Sequence, residues 1–173
     1  DNLSMFSQGT LTISAGIGIY PEKYPVAAMA RQTGRLEECS KAYPGKNAVT
    51  PFDEENTYAW PDFIERVLEE KYVLIRDFFN FFKPTDNYGK SFLYRLLELM
   101  RGHGEKMNLA RYAYLLARMQ PDERASTEQK TLYQKFSRKM YEWMRDDKQR
   151  RQAITAIYIY VYTMRERGDT DEN

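Results

Sequence analysis

The sequence predicts an α+β chain: a strand, a helix and a second strand, then an all-α bundle of about five helices. Three observations predict it. Residues 10–20 alternate apolar and small side chains with a period of two. From about residue 57 the apolar positions recur at helical spacing instead. Between the two patterns lies the acidic, polar run Asp53-Glu54-Glu55-Asn56, where we place a boundary that gives segments 1–56 and 57–173.

In the first strand Leu11, Ile13, Ala15, Ile17 and Ile19 form one apolar face. Thr10, Thr12, Ser14, Gly16 and Gly18 form the other, and small residues let a backbone, a ligand or a domain come close. The turn Pro21 to Pro25 breaks the strand. Val26 to Ala42 then reads as a helix with Met29, Leu36 and Cys39 inward, weakened at Gly34. Tyr43-Pro44-Gly45-Lys46 is a turn in which Asn47 takes part, and Ala48 to Phe52 is the second strand.

The first bundle helix starts at Trp60-Pro61-Asp62, since proline in the first turn beside an acid is a start signal. Phe63, Ile64, Val67, Leu68, Leu74, Ile75, Phe78 and Phe79 follow at near-helical spacing. Residues 83–89 form a loop. A second helix carries Phe92, Leu93, Leu96, Leu97 and Met100 and ends near Gly102. A third carries Leu109, Ala113, Leu116 and Met119, with Pro121 just past it. Ser126-Thr127-Glu128-Gln129 matches a capping box and opens a fourth. The fifth starts near Asp146 or Asp147; its centre, Ile157 to Tyr162, also alternates as a strand would, but the charged flanks favour a helix.

Composition narrows the functional classes. With 42% hydrophobic and 29% charged residues, wholesale disorder is excluded. One cysteine, Cys39, rules out a disulfide framework and fits a reducing cytoplasm. With one histidine, His103, in the loop Gly102-His103-Gly104, Cys39 cannot build a zinc site. The longest apolar run, Ala153 to Tyr162, is too short to span a bilayer, so no membrane partner is expected. The net charge of +1 does not argue for nucleic acid, but residues 130–151 are locally basic. Arg138, Lys139, Arg150 and Arg151 are the candidates there for RNA phosphates or an acidic protein face; a solvated helix face is the bland alternative.

Two stretches carry a resemblance. Leu11-Thr12-Ile13-Ser14-Ala15-Gly16-Ile17, then Ser40-Lys41 and Gly45-Lys46-Asn47, keep the order of a nucleotide cyclase of the GGDEF type: an S-x-G strand, a helix ending in A-K, a G-R-N turn and a final strand. Lys23-Tyr24-Pro25, Met29-Ala30, Leu36-Glu37-Glu38, Gly89 to Leu97 and Ala110 to Arg118 extend it. Together they resemble the large subunit of the type III-A CRISPR interference complex over nearly the whole chain, least after Gln120. The resemblance implies the C-terminal part of a second Palm domain (ferredoxin-like, GGDEF-like), followed by a helical domain similar to the complex's small helical subunits.

It also implies an activity. The full subunit would make cyclic oligoadenylate from ATP when target RNA pairs with the crRNA, and many members add an HD nuclease that cuts single-stranded DNA. A divalent metal, Mg or Mn, would be held by a Gly-Gly-Asp-Asp turn. That turn is absent from this sequence, so we expect it upstream of Asp1 and expect no synthase activity from this piece alone. Lys41 holds the position of the cyclase's phosphate lysine and Lys46 that of the following arginine, one residue out of step. A lysine offers a point charge where arginine would bind bidentately. Lys41 could equally be an ordinary cation at a helix C-terminus. Ser14 and Gly16 would wall the ATP pocket, or serve close packing. A non-catalytic interaction module docking on small subunits, and a GGDEF-like regulator with a helical effector, are the alternatives.

Overall fold

The computed structural model describes residues 11–82, 90–102 and 106–168. The predicted 83–89 loop and His103 lie outside these. The chain divides into two compact units, Asp1–Arg66 and Val67–Asn173.

In the first unit, β1 (Ala15–Ile17) leads into α1 (Val26–Ala42), which returns to β2 (Ala48–Pro51). β1 and β2 are parallel, with Gly16 opposite Thr50, as a helical crossover requires. A third strand, β3 (Tyr58–Ala59), pairs antiparallel with β2, Val49 opposite Tyr58. The sheet order is β1-β2-β3. β3 lies past the boundary predicted at residue 56, and the first unit runs on to Arg66. The added strand is held locally: the Tyr58 and Phe63 rings stack, and the Trp60 indole N–H donates to the Ile13 carbonyl at 2.8 Å.

The period-two pattern of the first strand holds, but the covered face is the small one. Gly16 lies directly under α1: a Cβ there would sit 2.4 Å from the Glu37 nitrogen and 2.7 Å from the Thr33 oxygen. Leu11, Ile13, Ile17 and Ile19 remain exposed on this chain. The physical reason is the approach distance, since only a strand face without side chains admits a helix backbone so closely. Gly34, on the same helix, has open space around its Cα. Gly34→Ala should therefore raise stability by up to about 1 kcal/mol, read as a higher urea midpoint with unchanged slope.

The helices are α2 (residues 60–81), α3 (Lys90–Arg101), α4 (Lys106–Ala117), α5 (Thr127–Arg145) and α6 (Asp147–Gly168). Within α2 the Phe63–Tyr72 stretch is wound as a π-helix. In the second unit α2 packs on α5 and α6, α3 on α4 and α6, and α4 and α6 on α5. Phe78 of α2 stacks on Phe136 of α5, ring centroids 3.9 Å apart, and both are fully buried. Phe79 adds contacts to Phe92, Phe136 and Tyr160. The buried Tyr112 hydroxyl donates to the Met140 carbonyl at 2.9 Å, tying α4 to α5. Ser126 caps α5 as predicted, its Oγ accepting from the Gln129 N–H while Gln129 Oε1 accepts from the Ser126 N–H.

The ambiguous α6 is a helix. Its run from Gln152 to Ile157 is buried on all sides, which a helix inside a bundle tolerates. Helix geometry also satisfies its buried hydroxyl, because Thr155 Oγ1 donates to the Arg151 carbonyl at 3.1 Å. No helix among the described residues is long and apolar enough to cross a membrane.

Candidate phosphate site and cationic helix faces

The candidate phosphate groups gather where α1 ends. Lys41 lies in its last turn, where a cation also complements the helix dipole. Its Nζ is 2.8 Å from Glu37 Oε1, one turn back, and both side chains are about half exposed. Tyr43 ends the helix in an extended conformation. Gly45, Lys46 and Asn47 then all take positive φ, at 79°, 55° and 51°. Three left-handed residues in succession reverse the chain into β2. Asn47 is suited to this conformation, whereas Lys46 adopts it at a conformational cost. The Lys46 N–H is secured by the Tyr43 carbonyl at 2.8 Å, and its side chain is exposed.

Ser14 and Gly16 are placed differently from the two lysines. Ser14 Oγ donates to the Ser40 carbonyl at 3.4 Å, and Gly16 receives the backbone of α1. Both therefore lie on the strand face that α1 covers. The two exposed lysines suit a phosphate chemically; Ser14 and Gly16 are engaged in packing. Among the described residues no group of three or more His, Cys, Asp or Glu side chains is gathered to hold a metal ion.

Sequence reasoning missed the element that fixes Lys41 in place. Ser40, fully buried, sits 2.7 Å from the Ala15 carbonyl and 2.6 Å from Thr50 Oγ1, which in turn is 2.9 Å from Thr57 Oγ1. Each hydroxyl has one proton to give. A single direction uses the three protons: Thr57 donates to Thr50, Thr50 to Ser40, and Ser40 to the Ala15 carbonyl. This chain joins α1 to β1, β2 and the residue before β3. Its one visible signal was a serine four residues after Leu36 on an inward helix face, where the cyclase pattern has alanine.

The four cations predicted to meet RNA are all paired within their own helices. Arg138 Nε and Lys139 Nζ donate to the two oxygens of Glu142, at 3.0 and 3.1 Å. Arg150 and Arg151 both hold Asp147, the latter at 3.1 Å. Hydrogen bonds from Lys139 and Arg138 hold the Glu142 carboxyl below its ordinary range. Partial burial pushes Asp147 up, but Arg150 and Arg151 outweigh it and hold it low. Pairs one helical turn apart with solvent-exposed carboxylates add little to helix stability, so their main effect is to neutralise the stripe. Arg150 is also largely buried, with Nη1 unpartnered among the described residues.

Comparison with known proteins agrees with this architecture. Residues 76–166 match the family "CRISPR RNA silencing complex Cmr2 subunit, second helical domain", and residues 2–50 match "Cas10/Cmr2, second palm domain". The chain is 40% identical over 160 residues to a Mycobacterium tuberculosis protein named CRISPR system single-strand-specific deoxyribonuclease Cas10/Csm1 (subtype III-A). Proteins of the same name from Streptococcus thermophilus and Enterococcus italicus are 36% and 37% identical to it. These alignments cover 92%, 95% and 93% of this chain but only 19%, 21% and 19% of the relatives, so the chain spans about a fifth of their length. Strand, helix and strand in the palm match, and a five-helix run through the helical match, make the chain a member of the Cas10/Cmr2 family of CRISPR large subunits, with second-palm sequence ahead of a second helical domain.

Proposed function

We propose that this chain is part of the large subunit of a crRNA-guided type III-A CRISPR antiviral complex, and that the complete subunit makes cyclic oligoadenylate from ATP when target RNA binds. The observation that carries this reading is Lys41, held at the end of α1 by the Ser40 hydroxyl chain, in a segment that matches a second palm domain. ATP would supply the adenylyl groups, a ribose hydroxyl attacking the α-phosphorus while the bond to the β-phosphate breaks and pyrophosphate leaves with its negative charge. Phosphoryl and nucleotidyl transfer depend mostly on positioning and charge neutralisation, which exposed lysines provide. Lys41 would exchange its Glu37 partner for a phosphate oxygen, with Lys46 adding charge from the turn. A divalent metal, Mg or Mn, would be held by carboxylates outside this chain. The deoxyribonuclease activity in the relatives' names would belong to another part of the complete protein. The helical unit would dock on the small helical subunits, close to crRNA and target RNA, in the cytoplasm.

In a complete complex carrying Lys41→Ala, product from labelled ATP should fall at least about tenfold, while assembly and target-RNA binding stay unchanged. Full product yield from the assembled variant would remove Lys41 from the site. A wild-type complex that binds matching RNA yet makes no product would sink the synthase reading itself.

A further inference from the structure

Helix α4 and the turn that follows it present a cationic face unlike those of α5 and α6. Arg111, Tyr114 and Arg118 are all exposed, Tyr114 at 66%. Arg111 and Tyr114 lie on α4 about 60° apart around its axis. Arg118 stands in the turn just past Ala117, its N–H still donating to the Tyr114 carbonyl at 3.1 Å, whereas Tyr112, Leu116 and Met119 are buried. Among the described residues none of the three side chains has a hydrogen-bond, ion-pair or ring partner, unlike the paired cations at 138, 139, 150 and 151. No Asp or Glu occurs in residues 108–121, and Asp122 and Glu123, which follow, form no ion pair with Arg118 among the described residues. Besides Arg111 and Arg118, the neighbours one turn either side of Tyr114 are Ala110 and Ala117, both exposed. Their methyl groups leave the phenol ring uncovered.

We infer that Arg111, Tyr114 and Arg118 form a contact for single-stranded RNA, with one base stacked on Tyr114 and phosphates met by the two guanidiniums. The argument is one of matched chemistry. An uncovered aromatic ring stacks any base, and flanking arginines that form no ion pair among the described residues attract the backbone. Arg111 precedes Tyr114 by three residues on α4 and Arg118 follows it by four, in the turn past the helix end, so the two arginines stand on either side of the ring. An acidic protein surface would match the arginines but gives no reason for an open ring between them. RNA is named over DNA because the matched helical family belongs to an RNA silencing complex. This inference rests on the proposed reading of the parent subunit as RNA-dependent, and moves its RNA contact from the paired stripe of α5 and α6 to α4.

The test is binding of a labelled oligouridine strand to the complete subunit across a salt series, with an oligothymidine strand beside it. Tyr114→Ala should weaken RNA binding about fivefold or more without altering the salt slope, and Tyr114→Phe should restore it. Arg111→Gln with Arg118→Gln should reduce the slope of log affinity against log salt by about 1.4, two phosphate contacts at about 0.7 each. All three positions are exposed, so the variants should melt with the wild type. Wild-type binding with unchanged variants would overturn this contact alone. RNA affinity preserved while small-subunit recruitment is lost would make the face a protein-docking surface, and tighter thymidine binding would overturn the choice of RNA. A wild-type subunit that binds no RNA would overturn the parent reading together with this one.

Discussion

Phe78→Ala should cost the helical unit about 3–5 kcal/mol, enough to remove a large part of an ordinary domain's stability. Phe78 is fully buried and stacked face to face on Phe136, and it also touches Phe79 and Phe82. The loss has two parts, the apolar area no longer buried and the cavity left between α2 and α5, which rigid helices cannot close. A double-mutant cycle with Phe136→Leu and Phe78→Leu would separate the ring pairing, expected at about 0.5–1.5 kcal/mol, from burial alone. Urea unfolding followed by far-ultraviolet circular dichroism is the measurement. A midpoint within experimental error of wild type would mean that α2 does not depend on α5 for its place. That outcome would also undercut the helical unit as a docking body, since the packing of α2 on α5 would then not hold it together.

Much of this architecture is legible in the chain because its signals are local. The Ser126 capping box needs four residues, and the structure shows both of its hydrogen bonds. Helix α1 could be placed because Pro25 and the Pro44-Gly45 turn punctuate it at both ends. Features that depend on distant partners were harder to see. β3 is two residues long and abuts a helix start, so no alternation can develop in it. The π-winding of Phe63–Tyr72 leaves the apolar spacing close enough to helical to pass unnoticed. Alternation in the first strand revealed two faces but not which one a helix would cover, because that depends on what packs there.

The candidate site divides in the same way. Glu37 four residues before Lys41, and Glu142 and Asp147 within a turn of the predicted RNA cations, could be read from spacing alone as helix-surface pairs. The Ser40 chain could not be, since it joins residues from four separate stretches. Neither could the standing of Arg111, Tyr114 and Arg118. Their distinction is what they lack nearby, and that becomes visible only when their neighbours in space are known.

Gly16→Ala should be about as damaging to the first unit as a cavity is to the second, by the opposite mechanism. The added methyl would meet the Glu37 nitrogen at 2.4 Å, the Thr33 oxygen at 2.7 Å and the Leu36 carbonyl carbon at 2.8 Å. All three obstacles are backbone atoms of α1, so no rotamer change can relieve the clash. Either α1 lifts from the sheet or β1 shifts, and both stretch the Ser40 hydrogen bond to the Ala15 carbonyl. A loss of about 3 kcal/mol is expected, at the upper end for overpacking because the neighbours cannot turn aside. The functional consequence distinguishes the two roles open to Gly16. A pocket wall would raise the KM for ATP while leaving the unit's unfolding midpoint unchanged. A packing glycine would lower that midpoint, and would lower synthesis by displacing Lys41 on the lifted helix. Measuring urea midpoint and ATP dependence together in the complete subunit separates them. An unchanged midpoint with a raised KM would show that α1 does not rest on Gly16 as closely as these distances require.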